Sequence, residues 1–418
     1  MSRALDGLRA LVLGGTGLIG SHVVRSLIRR GVRVRVLSRT GAPGPSLEGV
    51  DVEMVRGSLE HPASVETALD GCDLLFHAAA PYPTRHFGMQ GHVDRAVAGM
   101  EALLDVARSR VPPELLAYPL RRAEQVALEQ AEMGAKIARV QPERLEEIRR
   151  AVRDPELLSL AEAGRLNASL HPPLEACRPL AGLKRIVYTS SLTTIGRARG
   201  TEPGSPRRRD SREEDFYDLA PDPSPYFACK RLLETIALRA ANEGLPLVVV
   251  NPTLVVGEGD SHGTTARLIL PVARGRVPFY LAGAIQAVAA GDVGEGEVRA
   301  AAFGRTGQRY ILGGDAIGGR RFLSMIAQAA GRRGPWIPLP WWIVEPFAYA
   351  TEVIARLRGD VWPALPVHGI KMLREAPLVD PSRSRTELGA PHTPVQEAIR
   401  RAVEWFRERG TLPRPRGR

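Results

Sequence analysis

Leu11-Val12-Leu13-Gly14-Gly15-Thr16-Gly17-Leu18-Ile19-Gly20 decides the fold: three apolar residues, a glycine-punctuated turn, and then an amphipathic run from Ser21 to Arg30. The order is strand, tight turn, helix. Gly14 permits the turn, Gly17 lets the backbone approach a pyrophosphate, and Gly20 lets the helix pack closely on the strand. The helix N-terminus then offers unpaired amides and a positive dipole end to phosphate. A Gly-x-x-Gly-x-x-Gly pattern arises by chance on the order of once in a chain this rich in glycine, so its place in the first strand–helix unit carries the argument. A second strand, Val32 to Leu37, follows with apolar residues at alternate positions. That strand ends Val36-Leu37-Ser38-Arg39, with no carboxylate to accept from a ribose 2′-hydroxyl and an arginine placed to pair with a 2′-phosphate. NADP is therefore expected in preference to NAD.

Far downstream, Pro225-Tyr226-Phe227-Ala228-Cys229-Lys230-Arg231 sets a phenol and an ammonium four residues apart. On a helix, i and i+4 share a face, so both groups can address one small molecule. A free phenol titrates near pH 10 and trades protons poorly at neutrality, whereas a fixed neighbouring positive charge stabilises phenolate and brings it into a useful range. Many solvated helices show the same spacing. The glycine turn and a Ser-Ser strand end ahead of it give the pair its meaning, which is a carbonyl-reducing site.

With these residues assembled, the chain resembles the extended short-chain dehydrogenase/reductase family, which includes nucleotide-sugar epimerases, dihydroflavonol reductases and 3β-hydroxysteroid dehydrogenases. Gly57-Ser58-Leu59 is similar to the family's adenine-contacting Gly-Asp-Leu, with Ser58 in place of the Asp. Asp73-Leu74-Leu75-Phe76-His77-Ala78-Ala79-Ala80 resembles its fourth strand, and Lys184-Arg185-Ile186-Val187-Tyr188-Thr189-Ser190-Ser191 its fifth, which ends in the catalytic serine. Asn251-Pro252-Thr253 matches the segment lining the nicotinamide, and Asp292-Val293 and Glu387-Leu388-Gly389 through Trp405-Phe406 are similar to later family segments. The resemblance implies catalysis by Tyr226, Lys230 and Ser191. It implies cofactor contacts at Gly14, Thr16, Gly17, Leu18, Ile19, Gly20, Arg39, Ser58, Leu59, Ala78, Ala79, Lys230, Pro252 and Thr253. The family often carries Asn before the fifth strand where this chain has Ala96, so a contact behind the site is missing.

The implied fold class is α/β, a Rossmann-type doubly wound parallel sheet with a helical insertion and a smaller C-terminal substrate lobe. Residues 1–110 and 182–252 form the dinucleotide-binding domain, 111–181 the insertion and 253–418 mainly the lobe. The insertion is read from its Ala, Leu, Glu and Arg content with apolar residues at helical spacing, broken at Pro142, Pro155 and Pro172-Pro173. It carries no conspicuous catalytic residue, so a homo-oligomer contact or an ornament is favoured over a lid. In the lobe, helices are expected near Ala266–Arg274, Phe322–Gly331 and Val395–Arg407, with a strand at Arg309–Leu312.

A chain of 418 residues with 44% hydrophobic content can bury a large core. No apolar run of about 18 residues and no signal pattern occurs, so a cytoplasmic location is the expectation. Cys72, Cys177 and Cys229 are odd in number and lack Cys-x-x-Cys spacing, which argues against a disulfide framework, and Cys229 reads as a small packed thiol. The histidines, including His77, His86 and His92, form no ligand motif, so no metal is expected.

The formal charge of +11 attracts anions, but it is mostly dispersed arginine without an aromatic stacking pattern, so no nucleic acid is expected. Arg197, Arg199, Arg207, Arg208, Arg209 and Arg212 do cluster between Ser191 and Tyr226. They read first as a solvated loop, with a substrate border or an anionic membrane contact left open. Trp336 to Tyr349 holds three of the five tryptophans, at 336, 341 and 342, and reads as lobe core in preference to a greasy surface for substrate or lipid.

These readings converge on hydride transfer between NADP or NAD and a carbonyl carbon. Asn251-Pro252-Thr253-Leu254-Val255-Val256-Gly257 lacks the Arg and aromatic that precede this Asn in sugar epimerases, so a hydrophobic ketone is the expected substrate, in lipid or secondary-metabolite synthesis. A nucleotide-sugar epimerase is the alternative. A dinucleotide-sensing protein without turnover is the third reading, which the presence of both Tyr226 and Lys230 disfavours.

Overall fold

In the computed structural model of the protein, residues 4–79, 89–116, 172–198, 210–215, 225–261, 265–358, 367, 374 and 377–413 are described. The first unit is β1 (Arg9–Leu13), α1 (Leu18–Ile28) and β2 (Arg33–Ser38). The helix begins three residues ahead of the expected Ser21 because the Ser21 amide already bonds the Gly17 carbonyl at 3.0 Å. There follow β3 (Glu53–Arg56), α2 (Pro62–Leu69), β4 (Leu74–His77), α3 (Met89–Arg110), β5 (Arg185–Thr189), α4 (Pro225–Asn242) and β6 (Leu247–Pro252). The remainder comprises β7 (Leu254–Val256), α5 (Ala266–Ala273), β8 (Phe279–Leu281), β9 (Ala284–Ala289), α6 (Ala290–Phe303) and β10 (Arg309–Leu312). Then come β11 (Ala316–Gly318), α7 (Gly319–Ala329), β12 (Ile337–Leu339), α8 (Trp341–Leu357) and α9 (Val395–Glu408), the last preceded by a short helix at Ser382–Glu387.

Seven strands form one sheet in the order β10-β6-β5-β4-β1-β2-β3. Every pairing in it is parallel. This is the doubly wound arrangement that the first strand–turn–helix predicts, with the chain reversing direction across the sheet between β1 and β4. Parallel strands covered on both faces should be apolar throughout, and β4, β5 and β6 are buried at every position.

Alternate residues feed two cores. Leu11, Leu13, Leu75, Ile186, Tyr188 and Val249 pack against α2, α3 and α4. Val12, Val36, Phe76, Val187, Val250 and Tyr310 pack against α1 and α6. Each fully buried aliphatic side chain contributes roughly 1.5–3 kcal/mol, so the two cores fix the strand order that brings distant motifs to one edge. Gly294 lets α6 lie directly on α1, since a Cβ there would stand 2.6 Å from the His22 Cβ.

The C-terminal part contains a three-stranded sheet, β11-β9-β7, and a two-stranded one, β12-β8. Its own core joins α5, α7 and α9 through Ile269, Phe322, Ile326, Ile399 and Phe406. The expected strand at Arg309–Leu312 belongs to the main sheet as β10, so that domain takes a strand from beyond residue 252. Residues 117–171, most of the expected insertion, lie outside the described residues.

One expectation is overturned. Trp336, Trp342, Ile343, Phe347 and Tyr349 are exposed, so this aromatic segment is not lobe core. Val344 and Ala348 of its helix are buried against Leu281, Leu339 and Trp341, and Ala355 is buried further along. The other face of α8 has nothing in the described chain to pack on.

Candidate active site

All strands of the main sheet run the same way, so the residues following β1, β4, β5 and β6 share its carboxyl edge, where open α/β sheets take their ligands. Gly14 has φ 78°, and a Cβ on it would lie 2.7 Å from the Ala79 amide nitrogen and 2.9 Å from the Ala78 carbonyl carbon. The backbone after β4 therefore presses on the turn after β1. Gly20 must also be bare, because a Cβ would collide with the Gly14 carbonyl. Gly17 has an ordinary φ of −84°, and its Cβ position meets only the Gly14 oxygen at 3.3 Å. Its glycine leaves room at the helix start, where α1 has no side-chain cap and no acidic residue in its first turn. Uncapped amides beside an open backbone fit a dinucleotide pyrophosphate.

The neighbouring expected contacts divide by surroundings. Leu18 is buried and Ile19 packs on the α1-side core, so both hold the turn in place. The Thr16 carbonyl accepts from Ser46 Oγ at 2.6 Å. Arg39 is exposed just beyond the end of β2 and forms no ion pair among the described residues. Ser58 Oγ accepts from the Glu60 amide at 3.2 Å, and Leu59 packs against the α3-side core. Ala96, half-buried in that same core, offers no side-chain hydrogen bond.

Beyond β5 the chain enters a short 3-10 turn, Leu192–Thr194, capped by Ser191, whose Oγ accepts from the Thr193 amide at 3.3 Å. Tyr226 is the second residue of α4, and its side chain lies outside the described residues. Lys230, one turn later, is buried. Burial draws its ammonium down to about 8, with the charges of Cys229 and Glu234 acting in the opposite direction. His77, at the end of β4, is lowered to about 3 by burial and then by the Lys230 charge, so it is neutral. Its ring lies 5.4 Å from that of Tyr188. Cys229 is buried and its thiol raised, as fits a packed, unreactive group.

Sequence reasoning missed the polar network beneath these groups. Glu234 sits one turn beyond Lys230 and is buried. Its Oε2 is 2.6 Å from Asn251 Nδ2 and 2.7 Å from Thr194 Oγ1, while Oε1 accepts from Arg309 Nη1 at 2.9 Å. Asn251 Nδ2 also reaches the Ser191 carbonyl at 3.3 Å. The network ties the Lys230 helix, the Ser191 turn, β6 and β10 together. Its sequence signals were an acid four residues after Lys230 and an arginine opening an apolar strand. Arg212 of the basic cluster pairs with Asp380 at 3.1 Å, and Arg199, Arg207, Arg208 and Arg209 lie outside the described residues.

Thr193 Oγ1 and Thr253 Oγ1 are buried without a hydrogen-bond partner among the described residues. Buried hydroxyls normally find one, so a polar ligand at this edge is what the arrangement fits. Pro252 ends β6 and Thr253 follows it directly, and both are buried.

A second buried carboxyl, Glu297 of α6, accepts from Thr189 Oγ1 at 2.8 Å. Burial raises it to about 8. An acid raised in the folded state keeps its proton while the unfolded chain releases it, so stability falls as pH rises from about 4.5 to about 8, by up to about 1.4 kcal/mol per unit. Glu297→Gln should flatten that slope in chemical denaturation series at stepped pH. An unchanged slope would mean that Glu297 is not the group responsible.

The NAD dependent epimerase/dehydratase family model matches residues 10–118 and 172–313. A "Putative dihydroflavonol 4-reductase" of Synechocystis sp. is 26% identical over 404 residues, covering 96% of this chain and 94% of that one. "Sterol demethylase protein B" of Methylococcus capsulatus is 26% identical over 407 residues, covering 97% and 100%. The crystal structure of a nucleoside-diphosphate-sugar epimerase from Pseudomonas aeruginosa superposes with a TM-score of 0.64 at 22% identity, covering 97% of this chain and 100% of that one, a likeness of fold. The chain belongs to the NAD dependent epimerase/dehydratase family, within the extended short-chain dehydrogenase/reductases, and is an NAD(P)-dependent oxidoreductase.

Proposed function

We propose that this protein reduces a ketone on a hydrophobic small molecule, or oxidises the corresponding alcohol, with NADPH preferred as the reductant. The observation that carries the reading is a buried lysine on the helix of Tyr226, cross-braced through Glu234 and Asn251 to the Ser191 turn at the carboxyl edge of the sheet. A bound nicotinamide supplies or accepts the hydride. Tyr226 donates a proton to the carbonyl oxygen, and the Lys230 ammonium holds the phenol within reach of phenolate. The Ser191 hydroxyl donates to the developing alkoxide and orients it. Gly14, Thr16, Gly17, Leu18, Ile19 and Gly20 hold the pyrophosphate, Ser58 and Leu59 border the adenine, and Ala78, Ala79, Pro252 and Thr253 line the nicotinamide end. The lobe from residue 253 onward covers the substrate. The relatives' names, a dihydroflavonol reductase and a sterol-processing protein, support an apolar substrate.

The test is consumption of NADPH and NADH against apolar ketones and UDP-sugars. Ketone-dependent oxidation is expected. Cofactor-retaining conversion of a UDP-sugar would replace this reading with epimerisation, and cofactor binding with neither outcome would make the protein a sensor. Arg39→Ala is expected to raise the KM for NADPH about tenfold and leave that for NADH unchanged, since a charge-assisted hydrogen bond contributes roughly 1.5–3 kcal/mol. Equal losses with both cofactors would remove Arg39 from the 2′-phosphate.

A further inference from the structure

We infer that α8 and the adjoining β8–β12 ribbon form a docking face for an anionic lipid bilayer, on which the protein lies without crossing it. The helix is turned inside out relative to an ordinary surface helix. Its inward positions, Val344, Ala348, Thr351 and Ala355, are small and follow helical spacing. Its outward positions are Trp342, Ile343, Pro346, Phe347, Tyr349, Ala350, Val353, Ile354 and Leu357. Trp342 is 74% exposed, Phe347 58% and Leu357 83%, and none of these outward positions carries a charge. Glu345 and Glu352 are half-buried at the flanks, the first paired with Arg374 and the second accepting from the Val367 amide at 3.1 Å. Trp336, 63% exposed, Ile337 and Phe279 extend the apolar surface onto the ribbon against which Val344 and Ala348 pack through Leu281 and Leu339.

Charge selects the occupant. From Ala316 to Val344 the chain has Arg320, Arg321, Arg332 and Arg333 and no acidic residue at all. All four arginines are exposed, and none forms an ion pair with a described residue. Arg320 stacks on Tyr280 of the ribbon at 5.5 Å, and Arg332 and Arg333 stand three and four residues before Trp336. Unpaired cations beside a charge-free apolar face complement anionic headgroups over acyl chains. The polar atoms on the described exposed face are tryptophan N–H and tyrosine O–H, groups that settle at the headgroup level of bilayers. A folded protein partner would call for a denser set of directional donors and acceptors. No helix among the described residues is long and apolar enough to cross a membrane, so the contact is one of lying on the surface.

The experiment is co-sedimentation of the full chain with vesicles of phosphatidylcholine alone and of phosphatidylcholine with phosphatidylglycerol in equal parts. It reads lipid binding and not turnover, so it is independent of the substrate reading. Binding to the anionic vesicles is expected, weakening with salt, with Trp emission quenched by acyl-chain-brominated lipid. The double variant Trp342→Glu with Phe347→Glu should lose at least about tenfold in partition while melting like wild type, because neither ring supports the core. Arg332→Ala with Arg333→Ala should erase the preference for anionic vesicles. No sedimentation and no quenching by wild type, or equal binding by the double variant, would overturn the inference. So would vesicle-indifferent protein whose mass by light scattering falls in that variant, which would make the face a contact between two copies of this chain.

Discussion

Tyr226→Phe is expected to lower kcat for ketone reduction by about 10²–10⁴, with cofactor affinity close to wild type, because the change removes the proton donor and little else. Stopped-flow hydride transfer and cofactor titration on the same preparation separate the two effects. Retained turnover in the variant would require another donor and would discard the phenolic assignment. Lys230→Met should lose turnover as well, and should also flatten the pH profile. The unliganded protein should behave in the opposite sense. Burial pulls the lysine from 10.5 to about 8, so the folded state resists its protonation and stability rises with pH between those values. The methionine variant, carrying no buried charge, is expected to melt at or above the wild-type temperature at neutral pH.

The second large effect lies outside the reacting groups. Glu234→Ala takes a carboxylate from the buried Arg309, which keeps its bonds to the Glu213 and Thr194 carbonyls, and strips acceptors from Asn251 and Thr194. Removing one side of a buried pair costs about 3–5 kcal/mol, enough to bring many domains to the edge of unfolding. Chemical denaturation checks this directly. Glu234→Gln keeps an acceptor for Arg309 at similar volume and should retain most of the stability. If the positioning role is correct, that milder variant still shows a kcat loss with a KM near wild type, since Ser191 and Lys230 lose a shared brace. A variant that is only less stable, with kcat intact, would reduce the network to scaffolding.

Local chemistry was legible along the chain wherever a residue acts through its immediate neighbours. The turn at Gly14 needs a positive φ, the alternation in Val32–Leu37 needs a sheet, and the strand at Arg309–Leu312 announced itself by composition. The aromatic segment misled because hydrophobicity reports a preference for leaving water and not which surface receives it. Trp342 and Phe347 are as apolar as any core residue, yet the inward face of their helix is already filled by Val344 and Ala348. The Glu234–Arg309–Asn251 network was equally unreadable, because its members lie up to 75 residues apart and meet only when β6 and β10 pair.

The amino-acid sequence by itself determined the doubly wound sheet and the glycine turn after β1, because each follows from steric and periodic rules acting over a few residues. Only the tertiary structure decided that Lys230 and Glu297 would be buried enough to move their proton affinities, which distant parts would brace Ser191, and which greasy helix face would be left uncovered. Desolvation, long-range pairing and exposure are properties of the packed chain, and no local pattern of residues specifies them.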